Sequence, residues 1–196
     1  MKRLADAWHW VFDLDGTLTL AIHDFAAIRR ALDIPAEHDI LHHLAALPAN
    51  EASAKHTWLL EHERQLAQAA QPAPGATDLI RRLADRGCRL GILTRNARPL
   101  AQLTLTTIGL GGCFAEADII GRDEAPPKPD PGGLLVLAER WQVQPDALVM
   151  VGDYRFDLDC ARAVGATSVL VNVQDNPWPE LADLFARDCR ELLGMI

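Results

Sequence analysis

The stretch VFDLDGTLTL at residues 11–20 decides the fold. Residues 8–13, WHWVFD, are aromatic and β-branched, and this short apolar run predicts a buried β-strand. Asp13 closes the strand, Asp15 follows two residues later, and Gly16 allows the chain to turn at once. Because a buried charge is costly unless it is paired or bound to metal, two carboxylates at this place indicate a functional site.

The rest of the chain alternates between strand and helix patterns. Helical patterns separate the later apolar runs, and the stretch PELADLFARDCRELL predicts a last helix over 179–193. This alternation is typical of a parallel sheet with helices on both faces, a Rossmann-like α/β fold. The predicted strands after the first one cover residues 88–96, 117–120, 146–153 and 167–173.

An all-helical stretch interrupts this alternation directly after the first strand. Its segments are rich in Ala, Leu and Glu at helical spacing, and QPAPG (71–75) ends the last of them. We therefore predict a helical cap at residues 19–74, inserted into a core formed by residues 1–18 and 75–196. An insertion at this point lies over the carboxyl edge of the sheet, where open α/β folds bind ligands.

Composition excludes several classes of function. The chain has 196 residues, of which 49% are hydrophobic, and a net charge of −8. This charge, without any basic run, argues against nucleic-acid binding. No apolar stretch approaches the roughly 20 residues of a membrane span. The four cysteines form no CxxC pair, which favours a reduced, cytoplasmic protein. Nothing in the sequence indicates an oligomeric state.

Polar residues close several of the predicted strands. Thr94 ends the second strand, Asp153 ends a later one, and Asp157 opens the helix behind it, while a loop carries Lys128. In a parallel sheet these ends share one edge, so the residues should meet Asp13 and Asp15 in one crevice. Carboxylates gathered in this way repel one another unless a cation joins them. A hard divalent ion with oxygen ligands, Mg²⁺, fits best.

Such an assembly suits phosphoryl transfer. The transferred group is anionic and needs cations and hydrogen-bond donors around it. One carboxylate can act as the nucleophile and form an acyl-phosphate. A second can protonate the leaving oxygen and then deprotonate the attacking water. The expected partner is therefore a small phosphorylated metabolite.

Four sequence motifs together resemble the haloacid dehalogenase-like (HAD) superfamily. In chain order they are DLDGT, ILTRN, the lysine of PPKPDP, and GDYRFD, and the resemblance spans about residues 11–172. Phosphoglycolate-phosphatase-like members with a small helical cap are the most similar in overall pattern. One position departs from the family pattern, because Tyr154 stands where a serine usually follows GD.

The resemblance implies a role for each motif residue. It makes Asp13 the nucleophile and Asp15 the general acid and base. Thr94 and Lys128 would hold the phosphate. Apart from the resemblance, Arg95, Asn96 and Arg98 follow Thr94, and Arg95 is a further candidate for this contact because arginine suits phosphate. The implied metal ligands and their support are Asp13, the Asp15 backbone carbonyl and Asp153, with Asp157 orienting the metal or its waters.

The favoured interpretation is a Mg²⁺-dependent phosphatase that works through an aspartyl-phosphate on Asp13. A phosphomutase would use the same intermediate and is the alternative. A metal-free dehalogenase and a non-catalytic binding protein are less compatible with the intact acidic set. Single residues also have purely structural interpretations; for example, Asn96 could cap the helix that follows it.

Overall fold

The computed structural model describes residues 4–22 and 24–196. Its centre is a sheet of six strands in the order β3-β2-β1-β4-β5-β6, and every neighbouring pair is parallel. This confirms the predicted Rossmann-like α/β class. The strands are β1 (His9–Phe12), β2 (Arg89–Leu93), β3 (Ile119–Ile120), β4 (Leu148–Gly152), β5 (Thr167–Leu170) and β6 (Leu184–Phe185).

Eight α-helices accompany the sheet in the described part of the chain. Helices α4, α5 and α8 pack on one face and helices α6 and α7 on the other, so the sheet is covered on both sides. The helices are α1 (Phe25–Leu32), α2 (Ile40–Ala45), α3 (Ala49–Gln68), α4 (Ala76–Asp85), α5 (Arg98–Thr107), α6 (Gly132–Trp141), α7 (Arg155–Ala163) and α8 (Cys189–Leu193).

Strand β1 lies in the middle of the sheet, between β2 and β4. Alternate residues of a strand point to opposite faces, and here Trp10 and Phe12 join the core under α4, α5 and α8, whereas Val11 joins the core under α6 and α7. All three side chains are fully buried. The apolar run before Asp13 thus packs into both cores. This packing fixes the position of Asp13 at the carboxyl edge of the sheet.

Helices α1–α3 form what we call the helical segment, residues 24–70. It has a small apolar cluster of its own, and α3 also packs against α5 of the core. The chain leaves and re-enters the core along one short path, where Leu20 N–H donates to the Gln71 carbonyl and Ala73 N–H donates to the Leu18 carbonyl. The buried residues of the cluster are Ile28, Leu32, Ile34, Ile40, Leu44 and Leu59.

One prediction about the secondary-structure elements is wrong. Residues 179–193 do not form a single helix, because Leu184 and Phe185 pair with β5 as the edge strand β6, and only Cys189–Leu193 is helical. The break is local, since Asp188 caps the short helix by accepting from Glu191 N–H at 2.8 Å. The aspartate therefore starts a new helix instead of continuing an old one.

Within residues 4–22 and 24–196, no helix combines the length and the hydrophobicity that crossing a bilayer requires.

Candidate active site

The carboxyl ends of the central strands open into a cavity of about 540 Å³. Asp13 follows β1, Thr94 follows β2, and Asp153 follows β4. The topology therefore brings together side chains that are far apart in sequence. All seven predicted site residues line this cavity: Asp13, Asp15, Thr94, Arg95, Lys128, Asp153 and Asp157.

Lys128 is the central cation of the site. Its Nζ donates to Asp13 Oδ1 and to Asp157 Oδ1, each at 2.6 Å, and its side chain is 4% exposed. A buried ammonium needs such partners, because desolvation alone would drive off its proton. The two carboxylates outweigh desolvation and raise the pKa of Lys128 above its ordinary value. The lysine is thus held charged at the bottom of the cavity.

The carboxylates crowd one another despite this lysine. Burial, together with the charges of Asp157 and Asp153, raises the pKa of Asp13 well above its ordinary value, although Lys128 opposes the shift. Burial and the charge of Asp157 likewise raise the pKa of Asp153 to about 6. The site therefore holds more negative charge than its own cation neutralises.

Two glycines let the acids approach the backbone closely. Gly16 has φ +85°, and a Cβ there would lie 2.3 Å from Asp153 Oδ2. At Gly152 a Cβ would lie 2.2 Å from Asp157 Cγ. Any side chain at either position would push a carboxylate out of the cluster. The glycine of the DLDGT motif thus serves both a turn and a close contact.

Thr17 belongs to the site but received no role from the sequence. Its buried hydroxyl donates to Asp153 Oδ1 at 3.0 Å and lies 3.4 Å from Asp13 Oδ2, so it bridges the ends of β1 and β4. Asn172 holds the same loop, since its Nδ2 donates to the Gly16 and Thr17 carbonyls at 2.8 and 2.7 Å. A site role for Thr17 could have been predicted, because Thr17 lies inside the DLDGT motif. No sequence pattern indicated a role for Asn172.

Asp15 is oriented by Asn96. The Asn96 Nδ2 donates to Asp15 Oδ2 at 2.6 Å. The interpretation of Asn96 as a helix cap is wrong, because Ala97 occupies the cap position of α5. Asn96 N–H instead donates to Thr94 Oγ1 at 3.1 Å, which positions the threonine hydroxyl at the end of β2.

Arg95 lies in the cavity wall but is already paired. Its Nη2 donates to Asp39 Oδ2 of the helical segment at 2.5 Å, and its guanidinium lies over the Phe156 ring at 5.7 Å. A second arginine is paired in the same manner, since Arg122 binds both carboxylate oxygens of Glu63 on α3 at 2.8 and 3.0 Å. The sequence gave no sign of this second pair, which joins residues 59 positions apart.

The acidic set has the chemistry of a site for a hard divalent cation. Asp13, Asp153 and Asp157 each offer a carboxylate oxygen, and these oxygens lie within 4.8 Å of one another. Oxygen ligands of this kind suit Mg²⁺. The raised pKa values of Asp13 and Asp153 point the same way, because a cation would offset both the burial and the repulsion between carboxylates that raise them. The residues present therefore fit a magnesium ion.

Comparisons with known proteins identify the family and the fold. The family model of haloacid dehalogenase-like hydrolases matches residues 10–165. An uncharacterized hydrolase of Saccharomyces cerevisiae is 31% identical over 195 residues, covering 95% of this chain and 89% of the yeast protein. A phosphoglycolate phosphatase of Rhodospirillum rubrum is 30% identical over 190 residues, covering 83% of this chain and 78% of that protein.

A solved structure shows the same architecture. The crystal structure of a hydrolase from Pseudomonas syringae superposes with a TM-score of 0.79 at 26% identity, and the match covers 96% of both chains.

Proposed function

The chain belongs to the haloacid dehalogenase-like hydrolase family, and from this premise we propose that it is a magnesium-dependent phosphatase of small phosphomonoesters. The reaction would pass through an aspartyl-phosphate on Asp13. The observation that carries the proposal is the position of Lys128 between Asp13 and Asp157, with Asp153 beside them. A nucleophilic carboxylate, a fixed cation and a cation-binding acid cluster in one cavity are the parts that phosphoryl transfer needs.

The metal would be held by Asp13, Asp153 and the backbone carbonyl of Asp15, with Asp157 in support. When bound, the ion supplies positive charge that offsets the charge of the phosphoryl group. Thr94 and Lys128 would hold the phosphate oxygens, since both are buried donors at the floor of the cavity. Arg95 would have to exchange Asp39 for the phosphate before it could join them.

In this reaction Asp13 would attack with one particular oxygen. Its Oδ1 accepts from Lys128 at 2.6 Å, whereas the contact of its Oδ2 among the described residues is the longer one of 3.4 Å to Thr17. Oδ2 would form the new bond to phosphorus while the bond to the leaving oxygen breaks. Asp15 would give its proton to that oxygen and then take one from the water that releases phosphate. Asn96 keeps the Asp15 carboxyl aimed during both steps.

Residues 19–74 would act as a cap over this site, inserted into a core of residues 1–18 and 75–196. Two features support the division: the separate apolar cluster of the helical segment, and the short paired path formed by Thr19 and Pro72. We place the protein in the cytoplasm, and the four free cysteines support a reduced compartment.

Hydrolysis of p-nitrophenyl phosphate tests the proposal. We expect turnover with Mg²⁺, its loss with EDTA, and its recovery when Mg²⁺ is added back. Asp13→Asn should abolish turnover, because an amide cannot attack phosphorus. Asp85→Asn, at an exposed aspartate that ends α4, should not. Asp15→Asn should accumulate a phospho-enzyme that intact mass after quenching detects. Wild-type turnover by folded Asp13→Asn would exclude the covalent mechanism.

The phosphomutase alternative stays a prediction. It predicts that phosphate on Asp13 passes to a second sugar hydroxyl instead of water. Incubation with a hexose phosphate, followed by separation of the isomers and of free phosphate, distinguishes the two outcomes.

A further inference from the structure

The cavity is much larger than the chemistry of phosphate release requires. Its volume is about 540 Å³, within the range of roughly 300–1,000 Å³ that suits drug-sized ligands. A phosphorylated two-carbon acid would leave most of this volume to water. The side chains of the wall facing the carboxylates should therefore determine which leaving group the cavity accepts.

That wall is mainly apolar. The helical segment contributes aliphatic and aromatic side chains, and the start of α7 contributes two rings. We call this set the apolar lining: Phe25, Ile28, Ile40, Leu41, Leu59, Tyr154 and Phe156. Such a surface gains from covering apolar parts of a substrate and gains nothing from a charged leaving group.

The charges beyond the metal site cancel. Three acids and three arginines line this part of the cavity: Glu37, Asp39, Glu63, Arg29, Arg95 and Arg122. Arg95 is paired with Asp39, and Arg122 is paired with Glu63 through both oxygens. The third arginine, Arg29, donates from Nε to the His38 carbonyl. A substrate carboxylate that took Arg95 or Arg122 would leave an acid unpaired, and the three acids of the lining balance its three arginines. The lining is therefore suited to an uncharged leaving group.

Two aromatic rings are held in fixed positions at this wall. Tyr154, at the place where the family pattern usually has serine, meets Phe156 edge-on with ring centroids 5.1 Å apart. On its other side it meets Trp178, also edge-on, at 5.3 Å. Phe156 is further held by the Arg95 guanidinium at 5.7 Å. Rings fixed in this way offer faces on which a planar group can stack.

We propose that the preferred substrates are primary alkyl phosphates whose leaving group is uncharged and carries a planar ring, as in a nucleoside 5′-monophosphate. The ring would stack on Tyr154 and, because the planes of the two aromatic rings are perpendicular, would meet Phe156 edge-on while the phosphate reaches Lys128. The proposal rests on the proposed function. In the net reaction water forms a bond to phosphorus, the bond to the alkyl oxygen breaks, and that oxygen takes a proton.

Four primary alkyl phosphates with similar leaving oxygens test separately the effects of the planar ring and of charge in the leaving group. Uridine 5′-monophosphate carries the ring, ribose 5-phosphate keeps the sugar without it, 2-phosphoglycolate carries a carboxylate, and pyridoxine 5′-phosphate carries a ring without a sugar. We expect kcat/KM for uridine 5′-monophosphate to exceed that for ribose 5-phosphate and 2-phosphoglycolate by about tenfold or more, from base stacking. A ratio of one or less against either would overturn the proposal. If pyridoxine 5′-phosphate matches uridine 5′-monophosphate, the ring alone carries the preference.

Substitutions test whether the named rings are responsible. In Tyr154→Ser and Phe156→Leu, the ratio of kcat/KM between uridine 5′-monophosphate and ribose 5-phosphate should fall about tenfold, chiefly through KM. Trp58→Ala is the matched control, because Trp58 is an exposed ring on α3 that stacks on His62 outside the cavity lining. An unchanged ratio in both cavity variants would overturn the proposal.

A binding measurement separates this inference from the proposed function. Calorimetry with the Asp13→Asn variant gives Kd values for uridine 5′-monophosphate and ribose 5-phosphate without turnover. Tighter binding of the ring-bearing phosphate supports the inference, even if no substrate is hydrolysed and the phosphatase proposal fails. Equal binding, with Asp13-dependent hydrolysis of all four compounds by the wild type, would overturn the inference and leave the phosphatase proposal intact.

Discussion

The edge of the sheet and the helical segment enclose the same cavity but are held in place by different forces. Strand β4 is buried along its whole length, and β1 is buried except for His9. In contrast, the 20 residues of α3 bury only Leu59, Glu63 and Ala67, so one of its three buried side chains is charged. Hydrophobic burial fixes the sheet edge, whereas ion pairs contribute to the attachment of the segment.

Because the two regions are held differently, substitutions in them should have different consequences for the enzyme. Hydrophobic burial is non-directional and needs only apolar area, so a buried strand positions its terminal residue firmly. A salt bridge depends on one partner side chain, and its contribution falls when it is exposed. We therefore expect changes at the sheet edge to affect the reaction, and changes in the helical segment to affect how the segment is attached and what the cavity accepts.

The largest expected effect is at Lys128. Lys128→Met leaves Asp13 and Asp157 buried without their shared cation. We expect kcat for p-nitrophenyl phosphate to fall by about 10³ or more, as for loss of a preorganised charge. The free energy of unfolding should fall by about 3–5 kcal/mol, as for a broken buried ion pair. Steady-state kinetics and urea denaturation measure the two effects.

Lys55→Met in the helical segment is the matched control. Lys55 donates from Nζ to the Leu32 carbonyl at 2.5 Å, so its loss removes one hydrogen bond between α3 and the end of α1. We expect less than about 1.5 kcal/mol of destabilisation and no large change in kcat. Similar losses of kcat in the two variants would show that the two regions do not differ as described.

The residues at the sheet edge were predictable from the sequence because the patterns that indicate them are local. Each apolar run ends at a polar residue, and parallel strands bring these ends to one edge, which is how Asp13, Thr94 and Asp153 come to line one cavity. Lys128 lies in a loop between strands, so no strand end fixes its position. The sequence itself already predicted it in the same crevice, and the resemblance of the four motifs added the role of holding the phosphate.

The missed features depend on tertiary contacts that leave no periodic pattern. Strand β6 has two residues, too few to show the alternation of apolar and polar residues that is typical of a strand. It lies in a stretch whose leucines have helical spacing. The pair between Glu63 and Arg122 joins distant residues whose own neighbourhoods give no hint of the partner. Asn96 was misinterpreted because asparagine is common at helix caps, and only the structure shows Asp15 beside it.

The next largest effect is expected at the pair of Glu63 and Arg122. Glu63→Gln leaves the Arg122 guanidinium, whose side chain is 13% exposed, without a carboxylate. We expect the free energy of unfolding to fall by about 2–3 kcal/mol, slightly below the value for a fully buried pair. Urea denaturation followed by circular dichroism measures this loss.

The double variant Glu63→Leu/Arg122→Leu sharpens the result. Because neither charge is then left unpaired, most of the stability should return. If the double variant is no more stable than Glu63→Gln, packing of α3 and not charge pairing holds the segment.

A smaller and more selective effect is expected at Asn96. Asn96→Ala removes one donor to Asp15 at a partly buried position of the cavity wall. We expect kcat to fall about tenfold, from loss of a hydrogen bond that orients the proposed acid and base, with little change in stability. Asn50→Ala, at an exposed position of α3, is the control. A full-speed Asn96→Ala enzyme would remove Asn96 from any positioning role.

The smallest effect is expected where Asp39 of the helical segment meets Arg95 of the core. Burial alone would raise the pKa of Asp39, but hydrogen bonds from Arg95 and from His42 N–H outweigh it and lower the pKa below 3.8. The ionised carboxylate therefore stabilises the fold above the unfolded-state pKa, and this contribution is lost as the pH falls through the folded-state pKa. Because both side chains are about one-third or more exposed, the contribution should stay below about 1 kcal/mol.

Asp39→Asn isolates this charge, because asparagine can still cap α2 as Asp39 does. The wild type should be slightly more stable than the variant at about pH 6, and the difference should shrink towards zero below about pH 4. Urea denaturation of both proteins across this range measures it, and salt should reduce the difference at the higher pH. If the difference persists unchanged at low pH and in high salt, this contact is not electrostatic. The helical segment would then be held there by packing, as the sheet is.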